Sequence, residues 1–374
     1  MVSVSPSSAG ENQTLRVGYF LKPSIHDFHF LPSHFYNSYE TSTKLPLEIK
    51  YNGWRPPTEE WKTWVKKLQP KFEYLWIQTG IYGAIKASTY EIKRDDELIL
   101  ELASRWCSKR NTFVFPWGES TLTLEDTNAC FGYSLLGCSV SNPLMNNEQV
   151  KAKEDLMEAR RMFNSSKAKK VNQRAWMMYF MKTQIESKVE HEAFLVYWLS
   201  RFVFPANAYD TILKSVIPIA IHLAHGNRIA LAPAILASIY RDLSLLNSVI
   251  TINAITTMKS SSVTTIWAPF QLIQIWALER FLALNPRPYT IGHGLPKVAR
   301  WGGVKVLKNK NLKNDLDCAG FENGFLWQPY ANSLSVEAAY NENDMWKCYN
   351  PWWKQSKSNN ERDNKRVKVE QHEM

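Results

Sequence analysis

Two histidines, His222 and His225, stand three residues apart, a spacing that puts two imidazoles on one face of a helix where they can share a metal ion. A zinc centre needs three or four ligands. No carboxylate or thiol stands at a supporting spacing, so the pair reads as core or surface histidines. His26 and His29 repeat the spacing in an aromatic loop and read the same way. Asp95, Asp96, Glu97, Glu125 and Asp126 are the next candidates, because carboxylates converging on divalent ions would make a nuclease. Acidic side chains also stabilise the positive ends of helices, and these cluster where helices begin, which accounts for them without catalysis. Gly292 and Gly294 form a GxG, but a proline follows in place of the third glycine of a dinucleotide loop, so the segment reads as a turn. The sequence contains no Walker loop, HExxH, GxSxG or kinase motif set. No catalytic, cofactor-binding or metal residue is therefore assigned, and no cofactor is expected.

The cysteines, Cys107, Cys130, Cys138, Cys318 and Cys348, are odd in number and form no CxxC pair. Free thiols in a reducing compartment are expected. The formal charge is +10, which suits nucleic acid, acidic proteins or anionic lipid without choosing among them. Residues 141–175 are the most basic internal segment, with Arg160, Arg161, Lys167, Lys169, Lys170 and Arg174 as the basic contact candidates beside Lys151 and Lys153. Such a segment is either a solvated helix and linker or a contact for phosphates or an acidic partner. Near the end of the chain, Lys365, Arg366, Val367 and Lys368 match the K-[K/R]-x-[K/R] pattern read by import receptors, so nuclear localisation is expected. The start, MVSVSPSSAGENQTLR, lacks the apolar stretch of a signal peptide. The apolar runs at 216–223 and 229–239 stop at His222, His225 and Arg241, short of the ~20 residues of a membrane span, so no membrane is expected.

The elements that would carry these residues are mainly helical. With 45% hydrophobic residues, 15 Trp, 16 Tyr and 17 Phe, the 374-residue chain can bury a large core. Residues 1–15 read as a flexible leader, 16–350 as one helical domain and 351–374 as a disordered charged tail. Up to about Pro57 an irregular arm is expected to pack through Phe28, Phe30, Phe35 and Tyr36. Trp61, Trp64, Val65 and Leu68 then give one helical face, ended by Pro70, and Phe72, Leu75, Trp76 and Ile77 begin a second helix. Asp95 is the expected N-cap of a third, with Leu98, Leu102 and Trp106 at four-residue spacing. Thr112–Phe115 and Ser120–Leu124 read as a small β-hairpin turning at Pro116–Glu119. Thr123 and Asp126 have the spacing of a capping box, starting a helix that ends near Gly132 or Gly137. From Trp176 to about Leu284 the pattern is helical, with faces at 194–202, 212–223, 231–246 and 269–284. Trp198 and Trp276 are expected in the core. Beyond Pro288, Trp301, Phe325, Trp327, Tyr330, Trp346, Trp352 and Trp353 are expected to fold a glycine-rich region back onto the helices. The fold class is mainly α: a multi-helix globular domain with a small hairpin near residues 112–124.

One segment, WCSKRNTFVFPWGESTLTLEDTNACFGYSLLGCSV at 106–140, resembles the plant mobile domain family. Trp106, Thr112, Phe113, Phe115, Pro116, Gly118, Glu119, Thr121, Thr123, Leu124, Glu125 and Asp126 carry the match, while Phe131-Gly132 stands where the family usually reads Leu-Gly. AFLVYWLSRFVFP at 193–205, LAPAILASIYRDL at 231–243 and PFQLIQIWALERF at 269–281 are similar to three further blocks in the same order. LRVGYFLKPS at 15–24 and FLWQPY at 325–330 also fit, so the resemblance spans about residues 15–350. After Tyr349 the chain departs into PWWKQSK and a polar tail, and so reads as a short or truncated member.

The resemblance implies a mostly α-helical plant domain found in host genes and transposable elements. Host members similar to the maintenance-of-meristems group are nuclear and linked to transposon silencing, genome integrity, cell division and meristem development. Some are fused to, or associate with, serine/threonine phosphatase-like proteins. The implied partners are thus nuclear proteins, a phosphatase-like protein or another plant mobile domain protein. The label "aminotransferase-like" that the family carries would imply pyridoxal phosphate. It is not adopted, because no Schiff-base lysine with phosphate and pyridinium partners can be picked out. Three readings follow: a nuclear interaction scaffold first, a basic nucleic-acid-binding module of transposon origin second, and a pyridoxal-dependent or nuclease-like enzyme third.

Overall fold

A computed structural model describes residues 48–330 apart from 145, 165–170, 183–188, 207–208, 256–262, 285–286, 293, 306–310 and 321–323. The leader, the aromatic arm with His26 and His29, the tail with Lys365–Lys368, Cys348, and Trp346, Trp352 and Trp353 lie outside these residues. So do Lys167, Lys169 and Lys170. Backbone contacts divide the chain between residues 40 and 41, and everything described belongs to the second unit.

The expected mainly α class is what this unit adopts. Thr58 caps the first helix, α1 (Glu59–Gln78), by accepting from the Trp61 N–H at 3.2 Å. Pro70 was expected to end this helix, and it does not. Proline removes one helical hydrogen bond at a cost of ~3 kcal/mol, but the carbonyl it orphans belongs to Lys66 on the exposed face, where water can serve it. The apolar stripe meanwhile continues unbroken through Trp61, Trp64, Val65, Leu68 and Trp76, all buried. Burial of that stripe outweighs the local penalty. After Gly80, in the left-handed region at φ 73°, comes the short α2 (Tyr82–Ala87).

Asp95 caps α3 (Asp96–Ser104) as expected, accepting from the Leu98 N–H at 3.0 Å. Trp106 leaves the helical face on which it was expected and enters a three-stranded antiparallel sheet. The strands are β2 (Trp106–Cys107), β3 (Thr112–Phe115) and β4 (Gly118–Ser120), with β1 reserved for Ile49–Tyr51 earlier in the chain. The expected second strand, 120–124, is therefore corrected: it ends at Ser120 because Thr123 is committed as the N-cap of α4 (Leu124–Phe131). Gly132 ends α4 at φ 70°, and a Cβ there would sit 2.7 Å from the Gly83 Cα, so this turn requires glycine.

The remaining helices are α5 (Asn147–Asn164), α6 (Gln173–Lys182), α7 (Glu190–Trp198), α8 (Ile217–Ala224), α9 (Leu231–Ile255), α10 (Gln271–Arg280) and α11 (Leu312–Cys318). α7 is buried from Ala193 to Trp198 and runs into a π-helical turn, Leu199–Val203. It packs on α6 and α8, while α9 packs on α3 and α4. Trp61 stacks on Phe194 (4.8 Å between centroids) and Tyr197 (5.2 Å), and Trp76 stacks on Phe194 from the far end of α1. A second aromatic cluster joins Phe113, Phe115, Trp117, Trp276, Phe281 and Phe325. Each such pair adds ~0.5–1.5 kcal/mol beyond its buried area. The fold-back of Trp301, Phe325 and Tyr330 onto the helices is as expected, since all three are buried.

Two features escaped the sequence reading. β1 pairs in parallel with β5 (Thr264–Ile266), Ile49 opposite Thr264, and strands this short carry no readable period. α9 is also longer than expected, and its span Leu231–Ile252 is apolar and long enough to cross a bilayer by length and composition. The reading that its apolar run stops at Arg241 is corrected to that extent. In the fold, Leu231, Ile235, Ile239, Leu243, Leu246 and Ile250 form a buried stripe, and Asp242 lies on the same helix in a buried polar contact.

Candidate functional site

Of the acidic residues in the 106–140 motif, Asp126 sits in a buried cluster that holds elements together, while Glu119 and Glu125 are exposed. Asp126 is fully buried in the first turn of α4. Its Oδ2 accepts from the Thr123 backbone N–H (2.7 Å) and hydroxyl (2.8 Å), completing the expected capping box. Its Oδ1 accepts from Arg280 at the end of α10, through Nη2 (2.7 Å) and Nε (3.2 Å), and from the Tyr330 hydroxyl (3.0 Å). Arg280 spends its remaining Nη1 on the carbonyls of Leu326 (3.2 Å) and Trp327 (2.9 Å). With the Tyr330 proton directed at Asp126, the buried Cys130 thiol 3.1 Å away donates to the Tyr330 oxygen. Burial, reinforced by the Asp126 charge, pushes the Cys130 thiol well above its ordinary range, so it is not a ready nucleophile. Burial likewise pushes the Tyr330 hydroxyl far up. A saturated ion pair of this kind locks three segments together.

The other motif carboxylates behave alike. Asp242 accepts from the backbone N–H groups of Trp267 and Ala268, both at 2.8 Å, pinning the entry to α10 against α9, and pairs with Arg241. Glu279 binds Arg300 (2.8 Å) and the Trp301 indole N–H (2.7 Å). Burial holds the Glu279 carboxyl above its ordinary range, and Arg300 and Trp301 offset only part of that rise. Asp95 is a cap, while Asp96 pairs with Arg94 at the surface. Glu97 and Glu125 are exposed. Sequence reading placed Asp95, Asp96, Glu97, Glu125 and Asp126 at helix starts, and all five stand there: Asp95 as the N-cap, Asp96 and Glu97 in the first turn of α3, Glu125 and Asp126 in the first turn of α4. It missed the pairing of Arg280 with Asp126 and the buried roles of Glu279 and Asp242, because each partner lies tens to hundreds of residues away.

His222 and His225 do not form a metal pair. His222 is buried; its Nε2 faces the carbonyls of Asn142 (3.3 Å) and Pro143 (3.1 Å), so it carries the proton, and its Nδ1 lies 3.3 Å from the Asn227 amide. The His225 Nδ1 bonds the Ile221 carbonyl at 2.8 Å. Among the described residues no group of three or more histidines, cysteines or carboxylates could hold a metal ion. Cys107, Cys130, Cys138 and Cys318 are free thiols.

The histidine with the most unusual surroundings is one the sequence did not mark. His191 lies face to face with Phe72, 3.9 Å between ring centroids, and its Nε2 accepts from the Trp76 indole at 2.9 Å. Burial, with a smaller repulsion from His225, lowers it from 6.5 to about 3. The unfolded chain binds this proton below pH 6.5 and the folded chain resists it until about 3, so stability is full above 6.5 and drains as pH falls across that window. The contribution is ~3–5 kcal/mol, on the order of 1.4 kcal/mol per pH unit. His191→Gln keeps an acceptor for Trp76 and removes the titration. Its unfolding free energy should therefore fall less steeply with acid than the parent's, and parallel curves from urea titrations would contradict the assignment.

The basic segment changes character in three dimensions. α5 buries Gln149, Ala152, Leu156 and Ala159 as one stripe, with Met157, Arg160 and Phe163 half-buried beside it and its charged side chains otherwise exposed. Lys151, Lys153, Arg160 and Arg161 share it with Glu148, Glu154, Asp155 and Glu158, so the described helix carries no net charge. Arg160 reaches the Ile212 carbonyl at 3.4 Å, and the exposed Arg174 pairs with Glu60 at 3.5 Å. Among the described residues the cations of α5 thus alternate with carboxylates along the helix.

Small clefts open at the surface of the described residues, two of them well defined. One, about 30 Å³, is lined by Arg55, Trp54, Tyr90, Tyr133, Phe202 and Gln271; the other, about 50 Å³, lies between α3, α10 and Trp301. Each has room for a few water-sized groups.

A family model described as "Plant mobile domain" matches residues 80–367. A protein named "Serine/threonine-protein phosphatase 7 long form homolog" from Arabidopsis thaliana is 26% identical over 216 residues. That stretch is 56% of this chain and 15% of the relative, so the chain spans a small part of its length. No solved structure matches. With most of the chain matched, and with Asp126, Asp242, Glu279 and Arg280 of the motif blocks tied into one core, the chain belongs to the plant mobile domain family.

Proposed function

We propose that this domain is a nuclear, non-catalytic interaction scaffold serving transposon silencing, genome integrity and meristem or cell-division maintenance. The observation that carries the reading is the saturation of the motif's charged residues: Asp126, Arg280, Asp242 and Glu279 spend their hydrogen-bonding capacity inside the fold. Recognition then falls to the outer surface, where Tyr74 (81% exposed), Ile77, Tyr289 and Trp327 stand out as large apolar groups. The partners in view are a serine/threonine phosphatase-like protein or another plant mobile domain protein, the first in keeping with the printed name of the relative. Purified chain mixed with each candidate should give a stable complex on gel filtration that survives moderate salt. Failure of both to bind, together with exclusion of the tagged chain from plant nuclei, would refute the scaffold reading.

A nucleic-acid-binding module is the second reading, resting on the +10 charge and on residues 151–174. Its signature is affinity that falls steeply with salt, because each neutralised phosphate releases counterions. The neutral balance of α5 weighs against it, and we expect weak, salt-labile binding to naked DNA. Charge reversal at Arg160, Arg161, Lys169 and Lys170 should leave complex formation with a protein partner intact. If it abolishes tight DNA binding instead, the second reading displaces the first.

A further inference from the structure

Arg55 lies in the loop between β1 and α1, 5% exposed, on the wall of the smaller cleft. Its guanidinium sits 3.5 Å from the centre of the Tyr209 ring and donates from Nη1 to the Asp210 Oδ1 at 3.1 Å. Among the described residues this is the single hydrogen bond Arg55 makes, although a guanidinium carries five donors, and its Nε is buried without an acceptor. Arg201, from the π-helical turn, reaches the same Asp210 oxygen at 3.3 Å, and its Nε is likewise buried without an acceptor. Asp210 itself is held at φ 57°, a left-handed conformation uncommon outside glycine. Arg201, half-buried, also donates to the Gln173 Oε1 (3.1 Å) and the Pro56 carbonyl (3.2 Å). Among the described residues the half-exposed Asp210 is the one carboxylate paired with either arginine, which leaves a positive charge unbalanced beside the buried Arg55. On the same cleft the Gln271 Oε1 is buried and accepts nothing. Among the described residues no carboxylate lines the cleft, and Trp54, Tyr90 and Phe202 give it apolar walls.

An unpaired Arg55 donor and an unpaired Gln271 acceptor on the wall of one cleft, with a surplus of positive charge, specify the chemistry of a ligand. We infer that the cleft is a phosphate site: anionic oxygens of a phosphate head accept from Arg55, and its P–OH donates to Gln271. A carboxylate supplies the charge but no proton for Gln271, and sulfate lacks that proton at neutral pH. At about 30 Å³ the cleft admits a headgroup rather than a ring system. The head arrives either as free hydrogen phosphate or on a phosphorylated side chain, whose monoester phosphate takes up one proton from solvent as it binds. The inference is independent of the scaffold reading, since it concerns what the cleft binds and not where the chain resides.

The test is calorimetric titration of the full chain with inorganic phosphate, sulfate and a phosphoserine peptide at fixed ionic strength and neutral pH. Phosphate should bind more tightly than sulfate. Asp210→Asn removes a charge that repels the ligand and should tighten phosphate binding about tenfold. Arg55→Met should abolish it, and Gln271→Leu should erase the preference for phosphate over sulfate. Because Arg55→Met could impair folding, the Asp210→Asn gain serves as the independent readout, checked by an unchanged far-ultraviolet spectrum. Tighter binding of the peptide than of phosphate assigns the head to a modified protein; equal affinity assigns it to the free ion. No phosphate binding by the parent chain, or binding that neither Arg55→Met nor Asp210→Asn alters, overturns the site.

Discussion

Replacing Asp126 with alanine is expected to cost about 3–5 kcal/mol of unfolding free energy, the scale of leaving a buried charge without its partner. Three losses coincide. Thr123 loses the reciprocal half of its capping box, which alone is worth ~1 kcal/mol. Arg280, with its side chain 6% exposed, keeps its charge with no carboxylate beside it. Tyr330 loses its acceptor, and with it one anchor of the 325–330 segment. Arg280→Met should cost a similar amount, because it frees the carbonyls of Leu326 and Trp327 as well as Asp126. The double variant should lose clearly less than the sum of the two, since both changes break one interaction. Urea titrations of the three variants measure this directly. A loss below ~1 kcal/mol for Asp126→Ala would mean that the pair is solvated and holds nothing together.

Trp276→Ala and Trp198→Ala come next, each at about 3–5 kcal/mol. Both rings are completely buried, and among the described residues neither indole N–H has an acceptor, so packing supplies the entire effect. Trp276 stacks against Phe113, 5.0 Å between centroids, and meets Phe281 edge-on, so its removal opens a cavity between α10 and the three-stranded sheet. Trp327, 45% exposed, is the internal control and should lose well under half as much on truncation. Equal losses at all three positions would show that exposure does not govern the cost, and the core would have to be redrawn.

Helix existence and type were legible wherever an apolar period ran for three turns or a cap stood in front of it. Asp95 and Thr123 announced their helices because an N-cap is a local contract between residues three apart. Pro70 was misread for the complementary reason. Its local penalty was visible, and the five buried side chains that outweigh it were apparent only once the other helices were in place. The β1–β5 pair was invisible because three residues cannot display a period and the partners lie more than two hundred positions apart.

Legibility of the candidate site followed the same division. Periodicity, capping pairs and block order are short-range properties, and they were enough to determine a mainly helical domain, its aromatic core at Trp198 and Trp276, and its family. Only the tertiary structure decided what the charges do. It turned Asp126, Asp242 and Glu279 inward onto Arg280, backbone amides and Arg300, and it set Arg55 and Arg201 around one Asp210. A charge interacts with whatever the fold brings within a few ångströms, and sequence spacing fixes that neighbour only inside a single turn of helix.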